Sequence, residues 1–243
     1  MKNQQLSLTV ILTVYKRPKY LAKQIKAIEN QTIKPSDIWI WYNKPEGEDF
    51  QKLDSKGYTV IRADENYKFH ARFAFGLLSD AEYLAFFDDD TIPGRKWFEN
   101  CLNTINSGYD GILGTSGILL KDQKYTGCRK IGWNGEKYPY VTKVDLVGHA
   151  WFLRREYLKY LWYEPQISYE NGEDIQLSYL CQKYGNINTY VPPHHKKQMQ
   201  TWGSIKGNRY GDDIAASYKK KGHYILRNKI VSECIKRGWK PIK

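Results

Sequence analysis

The sequence predicts an α/β fold with a mostly parallel central sheet flanked by helices. Apolar, β-branched runs alternate with amphipathic helical patterns through its first half, which is the order of parallel βαβ units. These runs are apolar on both faces, as strands are when helices cover both sides of a sheet. Polar residues follow the ends of the runs, and ligands bind at that edge of such sheets. We therefore expect a ligand site at the carboxyl edge.

The first half divides into elements by the spacing of its apolar residues. A buried strand is predicted over residues 6–15, and Pro18 lies in the first turn of a helix with apolar residues at Leu21, Ile25 and Ile28. Further strands are predicted from apolar runs at residues 38–42, 58–63 and 83–87. A second helix carries an apolar residue at every fourth position, at Phe69, Phe73 and Leu77.

The second half is less regular. A helix is predicted around residues 97–105, hairpins in the glycine-rich stretch 108–145, and strands at 145–152 and 186–191. A further helix, with apolar residues up to position 184, begins at the acidic pair Glu173 and Asp174. No internal repeat or linker divides the chain. We therefore predict one domain over residues 1–203 and a basic, partly helical extension over 204–243, packed on the same domain.

The composition restricts the possible partners and compartment. The formal charge of +12 attracts polyanions, but the Lys and Arg residues are scattered and no nucleic-acid-binding motif is present, so nucleic acid is not an expected partner. The four cysteines lie far apart with no CxxC pair, which is typical of reduced thiols and predicts a cytoplasmic location. The N-terminal apolar run is too short to span a bilayer and is interpreted as a strand.

The segment YLAFFDDDTIPG, residues 83–94, places three aspartates directly after an apolar strand. Asp88 and Asp90 are two residues apart, so in an extended segment both point the same way and can bind one divalent cation, Mn²⁺ or Mg²⁺. Asp89 then points elsewhere. The alternative is an acidic turn, since Asp is common in turns and Pro93 and Gly94 follow. Its position at the ligand-binding edge of the sheet favours the metal site.

Six segments occur in an order known from one group of enzymes: TVYKRP, WYNKP, NYKFHARF, DDD, VDLVGHAWFLRR and GEDIQLSYL. On these motifs, residues 6–203 resemble the GT-A nucleotide-sugar glycosyltransferases, both the family 2 and the exostosin-like enzymes. The resemblance implies a GT-A (Rossmann-like) fold and metal-dependent transfer of a sugar from a nucleoside diphosphate, with UDP expected, to a hydroxyl of a glycan or glycoconjugate. Family 2 enzymes invert the sugar's stereochemistry and exostosin-like ones retain it, so the outcome stays open.

The resemblance also implies roles for residues that bind the nucleotide sugar. Tyr15 and Arg17 are expected at the nucleobase and diphosphate, and Asn43 at the nucleoside. Asp64 or Asn66 is expected to hydrogen-bond the uracil or ribose, and Asp88 and Asp89 are expected beside the donor sugar. Arg72 on the following helix can bind diphosphate bidentately, with an exposed helix charge as the alternative.

The same resemblance assigns a base and completes the metal shell. Asp174 is the expected base that removes the acceptor's proton, with Glu173 as second choice. Acidic residues in a first helical turn also stabilise the helix, so both roles are compatible. One of His194 and His195 is expected to bind the metal, and a purely structural histidine is the alternative.

Other interpretations remain for the tail and for the whole chain. Ile225, Ile230 and Ile235 among basic residues fit either weak contact with an anionic membrane or, as we prefer, a helix packed on the domain. A nucleotidyltransferase would need a glycine-rich loop after the first strand, which TVYKRP is not. A non-catalytic module that binds glycan or nucleic acid would explain the charge and the aromatic residues, but not the clustered aspartates.

Overall fold

The computed structural model describes residues 7–44, 57–205 and 216–242, so residues 206–215 and 243 of the predicted extension lie outside the described part. The strands within it are β1 Leu8–Val14, β2 Asp37–Asn43, β3 Thr59–Ala63, β4 Tyr83–Phe87, β5 Gly111–Lys121, β6 Lys124–Gly132, β7 Thr142–Val144, β8 Leu146–Arg154 and β9 Asn188–Val191. The helices are α1 Leu21–Glu29, α2 Ala71–Gly76, α3 Trp97–Asn106, α4 Glu173–Gly185 and α5 His223–Lys236, with a longer 3-10 helix at Arg155–Trp162.

The strands form a single sheet in the order β3-β2-β1-β4-β8-β5-β9-β7, with β6 paired to β5. The half containing β1 to β4 is parallel, as predicted. In the other half β8 is antiparallel to both β4 and β5, so the sheet as a whole is mixed. The β5–β6 hairpin contributes to this, because Asp122 and Gln123 both adopt positive φ and reverse the chain in a tight turn. The α/β class with helices flanking a central sheet is confirmed.

Helices cover both faces of the sheet, which explains why the central strands β1 and β4 are buried almost throughout. Alternate residues of β1 belong to separate buried clusters: Leu12 packs with α1 and α3, whereas Ile11 packs with α2 and the Arg155–Trp162 helix. Both side chains are fully buried. A strand buried on two sides loses the polar alternation of a surface strand, and it holds the loops at its ends firmly in place.

The C-terminal helix α5 packs against the domain. Ile230 is fully buried in a third apolar cluster with Ile175 of α4 and Leu146 of β8, whereas Ile225 is 76% exposed. Since Ile230 is covered by protein, the three isoleucines do not form one exposed apolar stripe. No helix in the described residues is long and apolar enough to cross a membrane.

Two neighbouring strands of opposite direction place the central residues of the site. The carboxyl end of β4 is followed by Asp88, and Phe87 pairs with Ala150 of the antiparallel strand β8. The residue before Ala150 is His149, whose carbonyl accepts a hydrogen bond from the Asp88 amide at 3.5 Å. A side chain from the first half of β8 thus lies beside the aspartates that follow β4.

Candidate functional site

A cavity of about 870 Å³ opens at the carboxyl edge of the parallel strands. Its size suits a nucleotide with an attached sugar, because pockets for ligands of that size occupy hundreds of cubic ångströms. Most residues predicted for the site line it: Tyr15, Arg17, Asn43, Asn66, Arg72, Asp88, Asp89, Asp90, Glu173 and Asp174. Asp64, His194 and His195 do not line this cavity.

Arg17 holds two of the three aspartates. Its guanidinium lies 2.6 Å from Asp89 Oδ1 and 2.9 Å from Asp90 Oδ2, and its side chain is 8% exposed. The second oxygen of Asp89 accepts a hydrogen bond from the Tyr15 amide at 3.1 Å. Burial raises the pKa of Asp89 to about 7, although Arg17 acts in the opposite direction. Asp89 therefore ties the loop after β1 to the loop after β4.

Arg72 holds the third aspartate and joins it to the helix α4. Its guanidinium pairs with Asp88 and, at 3.1 Å, with Glu173, and it lies 4.4 Å from the centre of the Trp151 ring. Its side chain is 3% exposed, so it is not the exposed helix charge considered as an alternative. Burial, followed by the nearby charge of Asp174, raises the pKa of Glu173. Arg72 uses both terminal nitrogens within the protein, which gives it a positioning role.

Three side chains are arranged as ligands for a cation. Asp88, Asp90 and His149 each offer a ligand atom, and these atoms lie within 4.8 Å of one another. Residues 88–90 begin a turn rather than extend the strand, yet the turn still brings the two carboxylates together. Burial and the neighbouring Asp88 raise the pKa of Asp90, because two carboxylates brought close together repel each other. Two carboxylates and one imidazole suit Mn²⁺.

The charges of the wider network support a divalent cation. Within the described residues, the five carboxylates of this network form ion pairs with three guanidinium groups. The carboxylates are those of Asp88, Asp89, Asp90, Glu173 and Asp174, and the guanidinium groups are those of Arg17, Arg72 and Arg227. With every group ionised, this network has a formal charge of −2. One divalent cation would neutralise that charge, and the donor set fits such an ion.

Comparison with known proteins identifies the family. The profile described as Glycosyl transferase family 2 matches residues 9–162, more than half of the chain. The chain belongs to glycosyl transferase family 2. A comparison with curated proteins gave no match. The family 2 match includes the three aspartates and His149 but ends before Glu173, so the α4 and α5 side of the site lies beyond it.

The part of the cavity beside the ends of β2 and β3 contains a small amide network. Asn43 donates from Nδ2 to Asn66 Oδ1 at 2.8 Å, and its own Oδ1 accepts from the Tyr67 amide at 2.8 Å. Asn66 Oδ1 also accepts from the Lys68 amide at 2.9 Å. Asn43 thus fixes the loop after β3, and Asn66 lines the cavity. Asp64 is exposed and lies 3.5 Å from the Tyr67 hydroxyl.

The structure does not bring His194 or His195 to the aspartates. His194 is 1% exposed, with Nε2 2.9 Å from Thr115 Oγ1 and Nδ1 2.7 Å from the Pro192 carbonyl. It follows β9, the third strand from β4, and three strand spacings amount to about 14 Å. His149 occupies the position beside the aspartates instead. The motif VDLVGHAWFLRR contains this histidine, but only the strand order reveals its neighbours.

His194 is expected to make the protein sensitive to acid. Burial lowers its pKa to about 4, below its ordinary value of 6.5, so the folded state binds this proton less readily than the unfolded state. Its contribution to stability is therefore complete above pH 6.5 and is lost as the pH falls toward 4, by about 3 kcal/mol at about 1.4 kcal/mol per pKa unit. Chemical denaturation across that range should show a shallower loss for His194→Gln than for wild type. The half-exposed His195, changed to Gln, should keep the wild-type slope.

Proposed function

We propose that this family 2 enzyme transfers a sugar from a UDP-sugar to a hydroxyl of a glycan or glycoconjugate, with Mn²⁺ or Mg²⁺ bound by Asp88, Asp90 and His149. The cluster of these three residues within a cavity of nucleotide-sugar size is the observation that carries the proposal. A cation bound there would neutralise charge developing on the leaving diphosphate. UDP and the metal are expectations of the sequence resemblance that the geometry supports.

Different residues around the cluster are proposed to lie beside different parts of the donor. Asn66 and Tyr15 line the cavity on the side of β1 and β3 and are proposed to contact the nucleoside. Arg17 is held at Asp89 and Asp90 beside the proposed cation, where a diphosphate would also lie. Because both of its terminal nitrogens pair with these aspartates, Arg17 is proposed to position them beside the diphosphate rather than to bind phosphate directly. Asp89 in turn fixes the orientation of Arg17. We keep Asp89 as the proposed contact to the donor sugar.

The acidic pair of α4 is proposed to activate the acceptor. In the inverting reaction expected of family 2, the acceptor oxygen bonds to the anomeric carbon as the bond to diphosphate breaks. The acceptor's proton passes to a carboxylate. Both carboxylates line the cavity and pair with an arginine, but the Asp174 side chain is 13% exposed and that of Glu173 only 7%. Asp174 is therefore the proposed base, and Glu173 positions Arg72 and through it Asp88.

Calorimetric titration of UDP into the wild-type protein, with and without Mn²⁺, tests the donor assignment. We expect binding that is clearly tighter with the metal, because the cation bridges carboxylates and phosphates. GDP serves as the control for the base, since a purine and a pyrimidine place their carbonyl groups differently. A protein that binds neither nucleotide in either condition would not be a nucleotide-sugar transferase.

Removing the imidazole of His149 should weaken the metal site specifically. We expect His149→Ala to reduce Mn²⁺ affinity in the UDP complex by at least about tenfold, since loss of an outer-shell partner alone costs about 10–100-fold. His195→Ala is the matched control and should leave the affinity unchanged. If His195→Ala lost Mn²⁺ affinity and His149→Ala did not, His195 would be the metal ligand, as one of the two expectations from the sequence has it.

We retain a cytoplasmic location as part of this proposal. All four cysteines are free thiols, and Cys101, Cys181 and Cys234 are buried in apolar surroundings. Burial raises the pKa of the Cys101 thiol well above its ordinary value, which keeps it protonated and unreactive. Free thiols persist most readily in a reducing compartment.

A further inference from the structure

The proposed base has a partner that lies far along the chain. Arg227 of α5 donates from Nη2 to Asp174 Oδ2 at 2.7 Å, while Asp174 Oδ1 accepts from the Ile175 amide at 2.9 Å. The Arg227 guanidinium also lies 4.1 Å from the centre of the Tyr125 ring. Its side chain is 6% exposed. Hydrogen bonds thus fix both carboxylate oxygens of Asp174, and the Tyr125 ring fixes the plane of the Arg227 guanidinium.

Further contacts attach α5 to the first turn of α4. Arg227 Nη1 donates to Asn171 Oδ1 at 2.7 Å, and Asn171 Nδ2 lies 3.1 Å from His223 Nδ1. Gly172 packs so closely on Ile230 that a Cβ atom there would lie 2.5 Å from the isoleucine Cδ1. Three residues of α5 therefore determine where the residues around Asp174 lie.

We propose that Arg227 is a positioning residue for Asp174, so that the C-terminal helix α5 is part of the transfer site rather than an appendage. This inference rests on the proposed function. Arg227 and His223 both line the cavity, together with Tyr125 from β6. Arg227 orients the carboxylate toward an acceptor entering the cavity, whereas Arg17 and Arg72 hold the three aspartates after β4.

A buried ion pair can serve folding alone. The groups around Asp174 indicate whether Arg227 has that role or positions the carboxylate. Groups of both signs face this carboxylate: His70, Arg72, Tyr125, Glu173, His223 and Arg227. Arg227 is the only one for which a hydrogen bond to the Asp174 side chain is seen in the described residues. Its loss should therefore act on the chemical step and not on donor binding.

The test compares Arg227→Met with Lys229→Met, which removes one positive charge from an exposed position of the same helix. UDP release is measured from UDP-glucose, UDP-galactose and UDP-N-acetylglucosamine with Mn²⁺, and UDP binding is measured by calorimetry. We expect Arg227→Met to lower kcat by at least about 100-fold with little change in the donor KM or in UDP affinity. Lys229→Met should behave as wild type.

Chemical rescue separates positioning from folding. Arg227→Ala should regain part of its kcat when guanidinium is added at a concentration too low to unfold the protein, and Arg227→Lys should retain more activity than Arg227→Met. An Arg227→Met enzyme with wild-type kcat would overturn the inference, as would a loss of kcat that neither guanidinium nor lysine restores. If the wild type binds no UDP and releases none, the proposed function itself fails; normal wild-type release with an unaffected variant overturns only the role of Arg227.

Discussion

Asp90→Ala should bind UDP no more tightly with Mn²⁺ than without it. Asp90 supplies one of the two carboxylates in the three-residue cluster, and an imidazole with a single carboxylate holds a hard cation poorly. We expect a loss of Mn²⁺ affinity of at least about 100-fold, more than the loss of an outer-shell partner costs. Titration of UDP at several Mn²⁺ concentrations measures this directly.

The same substitution has a second effect that helps to interpret the result. Asp90 also pairs with Arg17 at 2.9 Å, so its removal frees part of that guanidinium for phosphate. UDP binding without metal should therefore be equal to or tighter than that of wild type. Asp80→Ala is the matched control, because it removes the same charge from an exposed position before β4. Unchanged Mn²⁺ dependence in Asp90→Ala would exclude this cluster as the metal site.

Asp174→Asn should lower kcat by about 10²–10⁴-fold while donor binding stays intact, because an amide cannot accept the acceptor's proton. The variant also loses one hydrogen bond: both oxygens of Asp174 accept from protein donors, and an NH₂ group would face one of them. Thermal unfolding must therefore be measured alongside UDP release. We expect modest destabilisation, with the folded variant still binding UDP and Mn²⁺.

Glu173→Gln is the informative comparison for the base. Glu173 acts through Arg72 in our interpretation, so its amide variant should weaken Mn²⁺ binding by disturbing the pair of Arg72 with Asp88. It should reduce kcat less than Asp174→Asn at saturating metal. If the two variants showed the opposite order, Glu173 would be the base and Asp174 the residue that fixes α5.

The sequence predicts best those site residues that directly follow a strand of the parallel sheet. β4 and the aspartates after it were predicted in full, because a buried strand ending in charged residues has few other interpretations. Asn43 and Asn66 were placed at one edge because parallel strands end together, although their hydrogen bond to each other could not be foreseen. The prediction that Asp88 and Asp90 act together agrees with their geometry, even though the backbone there is a turn.

Long-range neighbours could not be predicted from one sequence. His149 lies beside Asp88 only because β8 enters the sheet antiparallel next to β4, and strand order is not encoded in periodicity. Arg227 lies more than fifty residues after Asp174 on a helix whose sequence resembles a solvated basic surface. Arg72 was predicted to meet phosphate, yet it is buried between carboxylates because the start of α4 folds back over it.

The end of the family match at residue 162 has a practical consequence for comparing this chain with others. Residues that hold the proposed cation and nucleotide precede that point, whereas Asp174 and its partner Arg227 follow it. A relative identified by the matched part alone is therefore compared at the residues of the proposed cation cluster, but not at those around the proposed base. Choosing acceptors for a screen should therefore begin from chains that share the Asn171, Asp174 and Arg227 contacts.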